Sequence, residues 1–280
     1  MTTNMTTKTA LIGHPVSHSK SPLIHGHWIA KHGLNATYEA IDLPCEDLEE
    51  GVQTLIREGY KGFNITVPHK VDIMSLCDQI DDLARIVGAV NTVTIENGKL
   101  SGTNTDVYGF TQNIRETAPD FDFTKGPALV LGAGGAARAI IQGLIAQGVP
   151  EIRLSNRTKE KALELLENAS TPEKIKLLNW DARSEKSTQQ DLNLLVNTTS
   201  LGMTGKTPLE IDLTHLPPAA HVNDIVYAPL MTDLLTKAKA NGNPIITGIG
   251  MLLHQARPGF KLWHGIMPEV TEDLREKVLS

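Results

Sequence analysis

Three clusters of polar side chains precede residue 107: Ser17-His18-Ser19-Lys20-Ser21, Asn64-Ile65-Thr66-Val67-Pro68-His69-Lys70, and Gly88-Ala89-Val90-Asn91-Thr92 with Gly102-Thr103-Asn104-Thr105-Asp106. Together they offer hydroxyls, amides, an ammonium and a carboxylate, a set that suits a small polyhydroxylated acid. Serine and threonine hydroxyls can hydrogen-bond a carboxylate without a full countercharge. A fourth motif is of another kind. Gly132-Ala133-Gly134-Gly135-Ala136-Ala137 follows the apolar run Ala128-Leu129-Val130-Leu131 and precedes Ala139-Ile140-Ile141-Gln142-Gly143-Leu144-Ile145. Strand, glycine turn and helix in that order make a seat for a dinucleotide pyrophosphate. The first glycine permits the tight turn and the second lets the backbone approach the phosphates. The small third position, Ala137, lets helix and strand pack closely. The helix start then offers unpaired N–H groups to the anion.

The residue after the second strand of such a fold meets the adenosine ribose, and an acidic residue there selects NAD. Here the strand runs into Asn156-Arg157-Thr158-Lys159, with Lys161 beyond. No carboxylate holds the selecting place. Arg157 can present its planar fork to a 2′-phosphate, and Lys161 adds charge in the first helical turn. The expected cofactor is therefore NADP.

These residues need elements to hold them. Lys8–Gly13 reads as a first strand. Ser21-Pro22 then opens a helix, with Ser21 as N-cap and proline at the first helical position. On that reading the Ser21 hydroxyl is partly occupied, so Ser19 is the safer ligand. Thr37–Leu43 is a strand, Glu46–Glu58 a helix and Gly62–Val67 a third strand, with helices between His69 and Val87. Val90–Ile95 and Lys99–Thr103 make a hairpin about Asn97-Gly98. Strands alternating with helices imply a largely parallel sheet. Asp106–Thr117 is a linking helix and 119–127 a boundary poor in apolar periodicity. Beyond it, Glu151–Ser155, Leu192–Asn197, Val222–Val226 and Pro244–Thr247 read as strands. Lys159–Asn168, Pro229–Asn241, 249–263 and 269–278 read as helices. The architecture is α/β with two domains: residues 1–106 plus about 249–280 bind substrate, and 107–248 form a doubly wound Rossmann-type NADP domain. The last helices pack back on the first domain.

The bulk composition narrows the class. A chain of 280 residues suits two domains. A formal net charge of −6 gives no footprint for nucleic acid. The two cysteines, Cys45 and Cys77, lie far apart with no histidine cluster. They suggest reduced thiols in a cytoplasmic protein rather than a zinc site or disulfide framework. No run is long and apolar enough to span a membrane. Met1–Thr7 reads as a frayed polar tail without a signal core. His14, His18 and His69 are not at metal-ligand spacing, and no metal is expected.

Taken in order, the motifs resemble the shikimate dehydrogenase family over nearly the whole chain. They are His18-Ser19-Lys20-Ser21-Pro22, Asn64 to Lys70, Gly88 to Thr92, Asn104-Thr105-Asp106, the Gly132 turn, Asn156-Arg157-Thr158 and Gly248-Ile249-Gly250-Met251-Leu252. The resemblance implies reversible NADPH-dependent reduction of 3-dehydroshikimate to shikimate, in chorismate and aromatic amino-acid biosynthesis. It implies Lys70 and Asp106 as the catalytic pair. Ser19 and Ser21 would hold the substrate carboxylate. Thr66, Asn91, Asp106 and Gln255 would hold ring hydroxyls, with Tyr227 nearby. For the cofactor it implies Gly132, Ala133, Gly134, Gly135, Ala136, Asn156, Arg157, Thr158, Lys161, Ile225 and Gly248, together with Asp82. Lys161 stands where many relatives carry arginine, which keeps the charge and loses the bidentate fork.

The chemistry agrees with those roles. Ketone reduction needs a hydride, supplied by the nicotinamide, and a proton. An ammonium such as Lys70 can stabilise the developing alkoxide and donate that proton; Asp106 would orient it. Two alternatives are an NAD-dependent quinate/shikimate dehydrogenase, against which Arg157 speaks, and a non-catalytic dinucleotide-binding regulator, which would need no proton donor. The family includes monomers and homodimers, and no residue pattern here selects between them.

Overall fold

The computed structural model describes residues 6–280, and the chain divides into two units. One holds the residues up to Thr105 together with Leu253–Ser280; the other is Asp106–Leu252.

The first unit is built on a six-stranded sheet in the order β2-β1-β3-β5-β6-β4. Its strands are β1 (Thr7–Gly13), β2 (Ala36–Asp42), β3 (Gly62–Ile65), β4 (Gln79–Ile80), β5 (Thr92–Glu96) and β6 (Lys99–Thr103). Helices α1 (Ser21–Lys31) and α2 (Leu48–Arg57) make the crossovers, so β1 pairs in parallel with β2 and β3. The largely parallel sheet expected from alternation holds there and at the far edge, where β4 pairs in parallel with β6. β5 runs antiparallel to both β3 and β6. Its hairpin is closed by Asn97 and Gly98 with φ of 53° and 76°, both left-handed, as a tight hairpin turn requires. The helices expected between His69 and Val87 reduce to a 3₁₀ turn over Asp72–Leu76 and the short α3 (Asp82–Val87), with β4 between them. The expected 46–58 helix also begins later, because Cys45–Asp47 forms a 3₁₀ turn ahead of α2. One face of the sheet buries Ile12, Phe63, Ile65 and Val93 against Val52, Leu55 and Ile73.

The C-terminal helices complete this unit. Helix α9 (Ile249–His264) enters it at Leu253, and α10 (Glu272–Leu279) follows. The Trp263 indole donates to the Val93 carbonyl at 3.0 Å, and that of Trp28 to the Glu269 carbonyl at 3.0 Å.

The second unit has an all-parallel sheet in the order β12-β11-β10-β7-β8-β9. The strands are β7 (Ala128–Leu131), β8 (Ile152–Ser155), β9 (Ile175–Leu178), β10 (Leu194–Asn197), β11 (His221–Asp224) and β12 (Ile245–Ile246). Its helices are α4 (Asp106–Thr117), α5 (Gly135–Ala146), α6 (Lys159–Glu167), α7 (Lys186–Gln189) and α8 (Asp233–Ala240). β7 is apolar throughout because both its faces are covered. Ala128 and Val130 pack with Ile140, Ile141 and Leu144, whereas Leu129 and Leu131 pack with Leu195, Val222 and Leu235. Strand order reverses between β7 and β10, the place where doubly wound sheets bind ligands.

The unit starts at Asp106 and so includes the 119–127 segment. Helix α4 packs on α5, where Gly143 leaves room for Val107, Phe110 and Thr111. Helix α8 starts four residues later than its pattern suggested, since Thr232 caps it by accepting from the Leu235 N–H at 3.3 Å.

Candidate active site

In the first unit the loop after β1 is pinned by Asp42, which accepts from the Val16 N–H at 3.1 Å and pairs with His14 Nδ1 at 3.0 Å. Ser19 N–H closes a turn on the Val16 carbonyl at 2.9 Å. That turn runs straight into α1, so Lys20 is the N-cap residue and Ser21 the first helical residue, not the cap. The Ser19 hydroxyl takes the capping part instead, accepting from the Ser21 N–H at 3.2 Å. Ser19, and not Ser21, therefore has an oxygen lone pair engaged by the helix start, and its hydroxyl proton is not consumed by that bond.

The turn after β3 carries Thr66 and Lys70. Thr66 N–H bonds the Ile12 carbonyl at 2.9 Å, continuing the β1–β3 ladder. His69 is fully buried and its Nε2 lies 2.6 Å from the Leu43 carbonyl. A carbonyl only accepts, so Nε2 carries the hydrogen and His69 is a tether between this turn and the end of β2. The Lys70 carbonyl accepts from Val90 N–H at 2.8 Å, tying the turn to the third cluster. Lys70 itself is half-buried.

That third cluster is a buried amide–hydroxyl network. Asn91 Oδ1 accepts from the Thr105 N–H at 2.8 Å and the Thr92 hydroxyl at 3.0 Å. Asn91 Nδ2 donates to the Thr105 hydroxyl at 3.0 Å, and Asn104 Nδ2 to the Ala89 carbonyl at 2.9 Å. Asn64 Nδ2 donates to the Asn91 carbonyl and the Thr92 hydroxyl, at 3.2 and 2.9 Å. Both its hydrogens are thus used, and its Oδ1 accepts from the Tyr38 hydroxyl at 2.7 Å. Tyr38 stacks on His25 with ring centroids 4.0 Å apart. Burial, above all, pushes the His25 imidazole down to about 3, so the ring is neutral. Tyr38, His25 and Asn64 support the site from separate elements, and no local spacing pattern marks the first two.

Asp106 follows Thr105 directly as the buried first residue of α4. Gln255 lies half-buried on α9, one turn before Gly259, which packs against Asn64 and Thr92. Asp82 is exposed on the first turn of α3; it belongs to the first unit and not to that of the glycine turn.

In the second unit Gly132 has φ +112°, a conformation that side-chain-bearing residues rarely adopt, and its N–H bonds the Ser155 carbonyl at 2.8 Å. Helix α5 starts at Gly135 with Gly134 as N-cap and no side chain capping it. A Cβ added at Gly134 or Gly135 would meet nothing, whereas Ala137 is fully buried. A helix start with uncapped N–H groups and open space at two glycines fits a pyrophosphate. Past β8, Asn156 Nδ2 donates to the Thr158 carbonyl at 2.7 Å, shaping the turn that exposes Arg157, Thr158 and Lys161. Among the described residues neither Arg157 nor Lys161 is paired with a carboxylate. Ile225 N–H bonds the Asn197 carbonyl at 3.1 Å. Gly248 lies against the carbonyls of Ile225 and Val226, where any side chain would collide. Gly132, Ile225 and Gly248 thus stand at the carboxyl ends of β7, β11 and β12, while half-buried Tyr227 follows two residues after Ile225.

A doubly wound sheet with this glycine turn, an arginine in place of the NAD-selecting carboxylate and an accompanying α/β unit rich in buried amides and hydroxyls defines an NADP-dependent oxidoreductase. Family models for the shikimate dehydrogenase substrate-binding domain, shikimate/quinate 5-dehydrogenase and the shikimate 5′-dehydrogenase C-terminal domain match residues 11–93, 115–198 and 248–279. The chain belongs to the shikimate dehydrogenase family. It is 49% identical over 271 residues to shikimate dehydrogenase (NADP(+)) of Paramagnetospirillum magneticum, covering 96% of this chain and 97% of that one. With the protein of the same name from Ruegeria sp. it shares 44% identity over the full length of both. Among solved structures, shikimate 5-dehydrogenase from Thermus thermophilus in complex with NADP(H) and shikimate superposes with TM-score 0.85 at 35% identity, over 97% of this chain and 98% of that one. Quinate dehydrogenase from Corynebacterium glutamicum in complex with NAD superposes with TM-score 0.90 at 29% identity, over 98% and 99%. Among the described residues no helix is long and apolar enough to cross a membrane.

Proposed function

We propose that this chain catalyses the reversible NADPH-dependent reduction of 3-dehydroshikimate to shikimate, as a cytoplasmic enzyme of aromatic amino-acid biosynthesis. The observation that carries the reading is full-length similarity to shikimate dehydrogenases (NADP(+)) at 44–49% identity, joined to Arg157 at the ribose-selecting position. Residues up to Thr105 with Leu253–Ser280 serve as the substrate-binding and catalytic domain, and Asp106–Leu252 as the NADP domain.

In this reading the uncapped start of α5 and the backbone of Gly132 to Ala136 hold the pyrophosphate. Asn156, Arg157, Thr158 and Lys161 hold the phosphorylated ribose, and Ile225 and Gly248 flank the nicotinamide half. The bound dinucleotide supplies the hydride. Ser19 donates its hydroxyl proton to the substrate carboxylate, with Ser21 beside it. Thr66, Asn91, Asp106, Gln255 and Tyr227 fix the ring, so that the carbonyl is held in one orientation. The Lys70 ammonium stabilises the charge that grows on the carbonyl oxygen and gives it a proton; Asp106 orients that ammonium. In the reverse direction the same pair removes the hydroxyl proton. Asp82, exposed on the first turn of α3, is the remaining candidate for a cofactor contact.

The test is the rise in reduced-nicotinamide absorbance with shikimate plus NADP, repeated with NAD and with quinate. Turnover with shikimate and NADP well above the other pairings is the expected result. Preference for NAD with quinate would assign the chain to the quinate dehydrogenase branch, and silence in every pairing would leave only a dinucleotide-binding role.

A further inference from the structure

Asp224, the last residue of β11, is fully buried, and among the described residues no cation pairs with it. Three donors converge on its carboxylate. Oδ1 accepts from Asn197 Nδ2 at 2.9 Å and from the Val226 N–H at 3.0 Å; Oδ2 accepts from the Thr232 hydroxyl at 2.7 Å. Thr232 is itself the cap of α8 and accepts from the Leu235 N–H, so its single proton is directed at Asp224. Asn197 uses its Oδ1 for the Thr199 N–H and hydroxyl, at 3.0 and 2.7 Å, which fixes its amide with nitrogen toward Asp224. Burial without a countercharge pushes the Asp224 carboxyl up to about 6. A buried carboxylate costs stability unless its acceptor capacity is used. Here both oxygens are used, and the bonds reach the end of β10, the segment after β11 and the start of α8.

The segment between those anchors is Ile225–Met231, which carries Ile225 and Tyr227. Its other wall is Gly248, against which the Ile225 and Val226 carbonyls lie. Resting on the assignment of Ile225 and Gly248 to the nicotinamide half of the cofactor site, we propose that Asp224 is a positioning residue: by accepting from Val226, Asn197 and Thr232 it fixes the Ile225–Tyr227 segment in the conformation that aligns the nicotinamide for hydride transfer. The pyrophosphate seat does not depend on it. Thr198, which backs Gly132, is held by its own bond to the Leu131 carbonyl at 2.7 Å. Loss of the carboxylate therefore loosens one end of the dinucleotide site and leaves the other intact.

The separating experiment compares turnover with binding of adenosine 2′,5′-bisphosphate, which reports only the Arg157 and glycine-turn end. In Asp224→Ala, kcat for shikimate with NADP falls about 100-fold, the scale of an ångström-level misplacement, while the bisphosphate dissociation constant, by calorimetry, stays within about threefold of wild type. Asp224→Asn keeps one acceptor oxygen for Val226 and Asn197 and recovers most of the lost turnover. Should Asp224→Ala fail to fold, Thr232→Val decides by the same two readouts, with a smaller drop in kcat at unchanged bisphosphate affinity. A kcat within about threefold of wild type overturns the proposal, as does parallel loss of turnover and bisphosphate affinity, which marks a merely structural role. Wild-type protein that neither turns over nor binds the bisphosphate would instead remove the cofactor assignment on which the proposal rests.

Discussion

The two units carry sheets of equal strand number but prepare their ligands by opposite means. On the proposed reading, recognition in the first unit rests on side chains, and those side chains are held by other side chains. Asn64, Asn91, Thr92 and Thr105 exchange neutral hydrogen bonds, with Tyr38 and a neutral His25 behind them. In the second unit the proposed pyrophosphate seat rests on missing side chains, at Gly132, Gly134 and Gly135, and on backbone N–H groups; the fully buried Asp224 accepts from the Val226 backbone N–H. A ligand shared by many enzymes can be bound by backbone geometry. A ring whose hydroxyl pattern must be distinguished needs particular donors and acceptors, and leaving one of them unpaired is what rejects the wrong ring.

That contrast breaks most sharply at Lys70. Lys70→Ala is expected to lower kcat about a hundred- to ten-thousand-fold while NADP affinity, measured by calorimetry, is unchanged; if Asp106→Asn proves the more damaging of the two, the proton roles are exchanged. Arg157→Ala comes next. It should weaken NADP binding about 10- to 100-fold, from the loss of charge-assisted bonds, and leave NAD binding and shikimate KM as they were. An equal loss for both dinucleotides would show that Arg157 does not read the 2′-phosphate.

Gly132→Ala tests the backbone side of the comparison. Strain at φ +112° and collision with Thr198 should cost about 1–3 kcal/mol of stability, seen in denaturant unfolding, with NADP affinity falling too. Tyr38→Phe tests the side-chain side more gently. It removes the donor that Asn64 Oδ1 faces, and a net bond of about 1 kcal/mol corresponds to a several-fold rise in shikimate KM with bisphosphate binding untouched. An unchanged KM would separate the network from recognition.

The units also differ in pH response. His25 titrates near 6.5 unfolded and near 3 folded, so below 6.5 the unfolded chain binds the extra proton and the first unit loses stability as pH falls. Asp224 is raised from 3.8 to about 6, so between those values the folded form holds the extra proton and the second unit gains as pH falls. Hydrogen exchange at pH 6 and pH 5 should show protection of β1 and β3 amides declining relative to β10 and β11. The opposite trend would mean that other groups govern the acid response.

Much of this was legible in the residues. The Asn97-Gly98 pair, the α4 span from Asp106 to Thr117 and the strand–glycine–helix unit at 128–146 follow from local rules, because turn chemistry and periodicity decide them. The family motifs name Ser19, Thr66, Lys70, Asn91 and Asp106. What local reading missed is instructive. β4 and β9 are edge strands; β4 is two residues long, fastened by the Asp78 carboxylate accepting from Leu100 N–H at 2.8 Å, and so short a run carries no period. Ser21 is the first helical residue rather than the cap because the 16–19 turn merges with the helix. Tyr38, His25, Asn197 and Asp224 escape because their partners lie on other elements, and only the folded chain brings each group together.

The division of the first unit has a consequence for its birth on the ribosome. Residues 253–280 belong to that unit, yet they follow the whole of 106–252 in synthesis. Until they emerge, the Val93 carbonyl lacks the Trp263 indole and the Trp28 indole lacks the Glu269 carbonyl. The nascent chain can therefore close its parallel second sheet while the earlier-made sheet still waits for its covering helix. Order of manufacture and order of completion are reversed, and the unit that recognises substrate becomes whole only when the last helices are made.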